Sequence, residues 1–162
     1  MEKNEHNRHN LLVIKASAGS GKTYRLALEY SRHLLFTTSE DSDHLVPRRA
    51  PGDSRPLNAH RHLLAITFTN KATDEMKQRI VAELYRLSQP GVKSNYLKDF
   101  MQESQLDEAS VRMLARQALN ELLFDYSNFN VSTIDSFFQT ILRNFARELD
   151  RDFNYDIQLD DA

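Results

Sequence analysis

The stretch that most constrains this chain is Ala16-Ser17-Ala18-Gly19-Ser20-Gly21-Lys22-Thr23. An apolar, partly β-branched run, Leu11-Leu12-Val13-Ile14, precedes it and reads as a short buried strand over Leu11–Lys15; a helical pattern follows. Strand, glycine-bearing loop and helix is the context in which such a loop cradles phosphate. The glycines allow successive backbone N–H groups to turn inward towards anionic oxygens, and the following helix adds the positive end of its dipole. Ala16, Ser17, Ala18, Gly19, Ser20 and Gly21 then form the cradle. Lys22 neutralises the β- and γ-phosphates, and the Thr23 hydroxyl sits on Mg²⁺, so the ligand expected is ATP with Mg²⁺. One position departs from the usual motif: its first glycine is Ala16 here. Alanine, the next smallest residue, serves there as long as φ is negative.

A chain of 162 residues is long enough for one domain with its own core. The net charge of −2 carries no global nucleic-acid signature, so any such interaction has to be argued locally. The charge is uneven: residues 1–80 hold 13 Lys and Arg against 9 Asp and Glu, and residues 81–162 hold 8 against 14. The basic half is the half with the phosphate loop. The absence of cysteine removes a disulfide framework and thiolate metal sites. The polar residues 1–10 read as a flexible leader with no signal or membrane-spanning stretch, and a cytoplasmic protein is expected.

Along the chain, a helix is expected from Gly21 to about Phe36, with Leu26, Ala27, Tyr30 and Leu34 on its inner face. Tyr24 and Arg25 stand just inside it; Tyr24 is either a packing residue or a stacking partner for a base, and Arg25 either a surface charge or a phosphate contact. Residues 37–60 read as a long mobile loop, broken by Pro47, Pro51, Gly52 and Pro56, with His44, His60 and His62 as surface residues. A second strand over Leu63–Phe68 is followed by Thr69 and Asn70 as helix caps and a helix running to about Ser88, striped by Ala72, Met76, Ile80, Leu84 and Leu87. Thr67, Phe68, Thr69, Asn70 and Lys71 therefore lie at a strand end and helix start, the edge where ligands bind in open α/β sheets. Hydroxyl, amide and ammonium groups there suit phosphates, and Phe68 either offers a face to a base or is buried. Residues 92–127 read as a helical insertion with a long helix from about Asp107 to Phe124. Asn128–Thr133 reads as a third strand, and the helix opening at Ile134 carries Phe137, Phe138, Ile141, Phe145 and Leu149 on its expected inner face.

Three blocks in this order carry a family resemblance: Ala16–Thr23, the run Ile66-Thr67-Phe68-Thr69-Asn70-Lys71-Ala72-Thr73-Asp74-Glu75-Met76, and Val131-Ser132-Thr133-Ile134-Asp135-Ser136-Phe137. Together they resemble the N-terminal ATP-binding region of superfamily 1 DNA helicases of the UvrD/Rep type, in particular the RecB/AddA helicase–nuclease branch. The blocks correspond to its Walker A, motif Ia and motif Ib, and Asp152–Ile157 is similar to the segment that comes next in the family. The resemblance implies a RecA-like α/β P-loop NTPase fold: a three-layer domain with a parallel sheet and a helical insertion, here incomplete. It implies ATP and Mg²⁺ at Lys22 and Thr23, and single-stranded DNA at Thr67, Phe68, Thr69, Asn70, Lys71, Thr133 and Ser136. The partners implied are single-stranded DNA and the remainder of the helicase or a helicase–nuclease subunit, with no membrane.

The departures are equally specific. The first glutamine of the chain is Gln78, so the family's adenine-reading glutamine ahead of the loop is missing. The family usually carries His or a similar residue where this chain has Asp135. Nothing after Phe145 resembles an apolar strand ending in Asp-Glu, the motif that positions Mg²⁺ and water, and the family's transition-state arginines are absent as well. The expectation is an N-terminal helicase fragment that binds ATP without hydrolysing it. The alternative is a stand-alone, non-catalytic nucleotide- or DNA-binding module. A small P-loop kinase is a third reading, with Arg48, Arg49 and Arg55 as its only candidate lid arginines.

Overall fold

A computed structural model describes residues 21–39, 44–50, 53 and 55–148. The leader 1–10, the strand expected over Leu11–Lys15, the loop residues Ala16 to Ser20, Leu149 and the segment Asp152–Ile157 lie outside the described residues.

The first helix, α1 (Lys22–Leu35), starts directly after Gly21, whose φ of 76° is left-handed. A Cβ there would meet the Tyr24 Cβ at 4.0 Å, ordinary contact, so backbone conformation rather than space requires the glycine. α1 buries Ala27, Leu28, Tyr30, Leu34 and Leu35, while Leu26, expected inside, is exposed. The buried set centres on Ala27, Ser31 and Leu34 with Leu28 and Leu35 on one flank, a face that turns Leu26 to the far side.

The described part of the connection 37–60 contains regular structure in spite of Pro47. β1 (Phe36–Thr38) and β2 (Leu45–Pro47) form an antiparallel hairpin with Phe36 opposite Pro47. Proline is compatible with an edge strand because an outward N–H is not needed in the ladder. Glu121 pins the next segment: it pairs with Arg49 and accepts the backbone N–H groups of Leu57 and Asn58 at 3.3 and 3.0 Å. A 3-10 turn, Ala59–His62, then buries His60, with Nε2 2.9 Å from Asp125 Oδ2. The surface placement expected for His60 is therefore corrected: a carboxylate at the end of a distant helix draws the ring inward. His44 and His62 are exposed.

β3 (Ala65–Thr67) leads into α2 (Asn70–Ser88), whose N-terminus is capped by Thr69 accepting the Ala72 N–H at 3.1 Å. α3 (Leu97–Ser104) and α4 (Glu108–Phe124) come next, α4 capped by Asp107 accepting from Ser110 N–H at 3.0 Å. β4 (Val131–Thr133) then pairs with β3 in parallel, and α5 (Ile134–Glu148) leaves from its end. Among the described residues the sheet is thus two small pieces, one antiparallel and one parallel, and the chain is mostly helical. The core lies where α2 packs on α4 and α1, around Met76, Ile80, Leu84, Leu87, Val111 and Leu122. On α5, Phe137 and Ile141 are half-buried but Phe138 and Phe145 are exposed, contrary to the expected inner face. α5 packs on the ends of β3 and β4, a footprint too short to cover a helix of that length.

One buried cation finishes α2. Arg112 Nη1 donates to the Leu87 carbonyl at 3.1 Å and to that of Gln89, Nη2 donates to Val92 at 3.1 Å, and Nε reaches Glu108 at 2.7 Å. These carbonyls include ones that a helix C-terminus leaves without intrahelical donors, and the positive charge suits the negative end of the dipole. Arg112→Met removes the donors and leaves buried acceptors unpaired. We expect a loss of about 2 kcal/mol or more in urea unfolding; a change under about 0.5 kcal/mol, the size of a neutral surface substitution, contradicts the assignment.

Asp125 gathers Arg61, Asn128 and His60, and hydrogen bonds from these side chains, that of Arg61 first, hold its carboxyl well below the usual carboxylate range. A depressed folded value contributes stability above the unfolded value near 4. That contribution is lost as pH falls towards the folded one. Chemical unfolding at pH 7 and pH 3 should therefore show Asp125→Asn less sensitive to acid than the parent. Equal or greater acid sensitivity in the variant would contradict the linkage.

Candidate functional site

Two places carry the residues singled out above: the N-terminus of α1 and the C-terminal edge of the β3–β4 pair. At the first, Gly21 has no side chain to cap the helix and the first turn of α1 holds no acidic residue. The N–H groups of the first turn have no intrahelical partner, and the dipole favours an anion beside them. Lys22 and Thr23 occupy the first two helical positions, Lys22 exposed and Thr23 half-buried. This end is chemically suited to phosphate oxygens, and a hydroxyl at Thr23 is a hard oxygen of the kind Mg²⁺ takes. Ala16 to Ser20 lie outside the described residues.

Tyr24 and Arg25 have structural partners. The Tyr24 ring meets Tyr96 edge-on with centroids 5.2 Å apart, and the fully buried Tyr96 donates its hydroxyl to the Tyr24 carbonyl at 3.3 Å. Arg25 Nε lies 2.9 Å from Glu29 Oε1 one turn along. Between packing and base stacking, the geometry of Tyr24 favours packing. Tyr96, which ties the helical insertion to the first turn of α1, is a residue that sequence reasoning missed. Its signal, an aromatic opening a short helix after a glycine turn, is too common to single out.

At the second place, parallel pairing sets Ala65 opposite Val131, Ile66 opposite Ser132 and Thr67 opposite Thr133. The blocks around Phe68 and Ser136, far apart in sequence, are thereby brought to one edge. Phe68 is 86% exposed, against the burial an isolated phenylalanine usually finds. Thr69, Asn70 and Lys71 are exposed beside it at the start of α2. The opposite position repeats the arrangement: Thr133 accepts the Ser136 N–H at 3.2 Å and its hydroxyl lies 2.9 Å from Ser136 Oγ. Both strands therefore end in a threonine that turns the chain into a helix, and two helix N-termini open on the same edge.

The threonine hydroxyls of the first strand are occupied. Thr67 Oγ1 lies 2.6 Å from Thr73 Oγ1, and both lie 3.2 Å from the Thr69 carbonyl oxygen, so one hydroxyl donates to the other, which donates to that carbonyl. The exposed groups at this turn are thus an aromatic face, an amide and an ammonium, while Thr67 shapes the turn. Asp135 is exposed in the first turn of α5, where the helix dipole favours a carboxylate. That gives it a structural reason to be there. The three arginines of the 37–60 connection are engaged elsewhere: Arg48 Nε donates to the His33 carbonyl at 2.6 Å, Arg49 pairs with Glu121, and Arg55 pairs with Asp53. None of them is held as a free lid cation, which weakens the kinase reading. No described helix is long and apolar enough to cross a membrane.

Comparison with known proteins finds relatives over nearly the whole chain. The chain is 30% identical over 162 residues to an ATP-dependent helicase/nuclease subunit of Lactobacillus helveticus, covering 99% of the chain and 10% of the relative. It is 31% identical over 144 residues to the subunit of the same name from Pediococcus pentosaceus, covering 89% and 8%. With the RecBCD enzyme subunit RecB of Haemophilus influenzae it shares 27% identity over 164 residues, covering 95% and 12%. The chain thus spans about a tenth of the length of these curated relatives. No solved structure matches it significantly. With a match to the family's domain over residues 2–162, this chain belongs to the UvrD/REP helicase N-terminal domain family.

Proposed function

We propose that the chain is the ATP- and single-stranded-DNA-binding N-terminal part of an ATP-dependent DNA helicase motor of the helicase–nuclease kind, acting in DNA repair or recombination. Family membership implies a P-loop fold and ATP binding. In this reading Ala16 to Gly21 wrap the phosphates, Lys22 neutralises them, and Thr23 holds Mg²⁺. The bound metal would supply charge neutralisation at the phosphates. DNA lies along the strand-end edge, with Phe68 stacked on a base and Thr69, Asn70, Lys71 and Ser136 near phosphates. Thr67 and Thr133 shape the two turns. The observation that carries the proposal is the exposed Phe68 at an edge where two helix N-termini converge.

The sequence after Phe145 holds no apolar strand ending in Asp-Glu, the motif that the resemblance assigns to positioning Mg²⁺ and the attacking water. The expectation is binding without turnover. Labelled ATP should bind and Lys22→Ala should abolish that binding, while the 162-residue chain hydrolyses ATP negligibly. DNA-stimulated turnover that vanishes in Lys22→Ala contradicts this.

DNA binding is tested separately, by anisotropy of labelled oligo-dT across a salt series. Affinity should fall steeply with salt, as phosphate contacts release counterions. Phe68→Ala should weaken binding by roughly five- to a hundredfold, the range of one lost base–aromatic stack. Affinity unchanged in Phe68→Ala removes this edge as the DNA site.

A further inference from the structure

We infer that Thr73, which lies one turn inside α2 and is only 8% exposed, is a positioning residue that holds Phe68 in its outward, base-accepting pose. The inference rests on the DNA reading of the β3–β4 edge. A phenylalanine 86% exposed on a turn is held by nothing of its own: it has no polar group, and burial would be favourable. Something else has to fix the backbone on either side of it.

That something is a closed set of hydroxyl contacts. Thr67, immediately before Phe68, has Oγ1 2.6 Å from Thr73 Oγ1. The carbonyl of Thr69, immediately after Phe68, lies 3.2 Å from both hydroxyls and accepts from one of them, the other donating across the 2.6 Å contact, and it accepts the Thr73 N–H at 3.0 Å. The Thr69 hydroxyl in turn accepts the Ala72 N–H at 3.1 Å. Both neighbours of Phe68 are therefore fastened to the first turn of α2, and the Thr73 hydroxyl is the atom common to both sides. Thr67 alone could reach Thr69, but it would lose its shortest hydrogen bond and its χ1 would be free to carry the hydroxyl towards solvent. Thr73 touches no ligand in this arrangement; it acts through the turn, by reducing the conformations that Phe68 and the Thr69–Asn70 amides must give up when a base stacks.

The test is a double-mutant cycle on the 162-residue chain with labelled oligo-dT. Thr73→Val keeps the β-branched shape and removes the hydroxyl; Thr73→Ser restores a hydroxyl. We expect Thr73→Val to weaken oligo-dT binding about two- to tenfold, the range of one net hydrogen bond, and Thr73→Ser to recover most of it. In a Phe68→Ala background, Thr73→Val should have no further effect on affinity. That interdependence would not arise from a general loss of stability, which urea unfolding of each variant monitors. Full affinity in Thr73→Val, or an equal loss with and without Phe68, overturns the positioning role while leaving the DNA site standing. Failure of the parent chain to bind oligo-dT removes the DNA reading and this inference together.

Discussion

Three residue pairs of parallel strand hold the candidate site together. Ala65 against Val131, Ile66 against Ser132 and Thr67 against Thr133 make up the whole β3–β4 ladder, yet they decide which parts of the chain meet. Parallel strands need a long crossover, and here α2, α3 and α4 supply it. The α2–α4 packing is therefore more than a core. It is the spacer that lets Thr67 and Thr133 arrive side by side, both at strand ends, with helix N-termini opening on the same side. A shift of one residue in that register would turn one of the two threonines to the opposite face and separate the two turns.

The chemistry of the edge depends on which groups are occupied and which are exposed. The threonine hydroxyls are spent on turn geometry and cap the Ser136 and Ala72 N–H groups, so in the proposed reading recognition falls to Phe68, Asn70 and Lys71. An aromatic face with backbone and cationic donors around it accepts any base and any phosphate, a combination that tolerates sequence and prefers a single strand. The N-terminus of α1 shares the helix dipole, but with Gly21 in a left-handed conformation in place of a capping hydroxyl.

Much of this was legible locally. Thr69 as a cap, the extent of α2 to Ser88 and the inner stripe Met76–Ile80–Leu84–Leu87 follow from short-range periodicity and capping chemistry, and the structure has them. The features that were not legible depend on contacts between distant residues. His60 is buried because Asp125 accepts it, and Arg49, Leu57 and Asn58 are held against α4 because Glu121 gathers them. Tyr24 packs because Tyr96 comes to meet it. Arg112 resembles an ordinary helix-surface charge until α2 ends beside it. For the site, the residue types at the strand ends were readable, but not the division of labour among them: Thr67 reads as a phosphate contact in sequence and is a turn-shaping hydroxyl in three dimensions.

The most direct measurement of the central claim, that single-stranded DNA lies on the Phe68 edge, is ultraviolet cross-linking of oligo-dT to the chain followed by tryptic peptide mapping. Cleavage after Arg61 and Lys71 isolates His62–Lys71, which contains Phe68. The account predicts that this peptide carries the principal adduct and that excess unlabelled single strand suppresses it. Adducts confined to peptides from α3 or α4, with none in His62–Lys71, would contradict it.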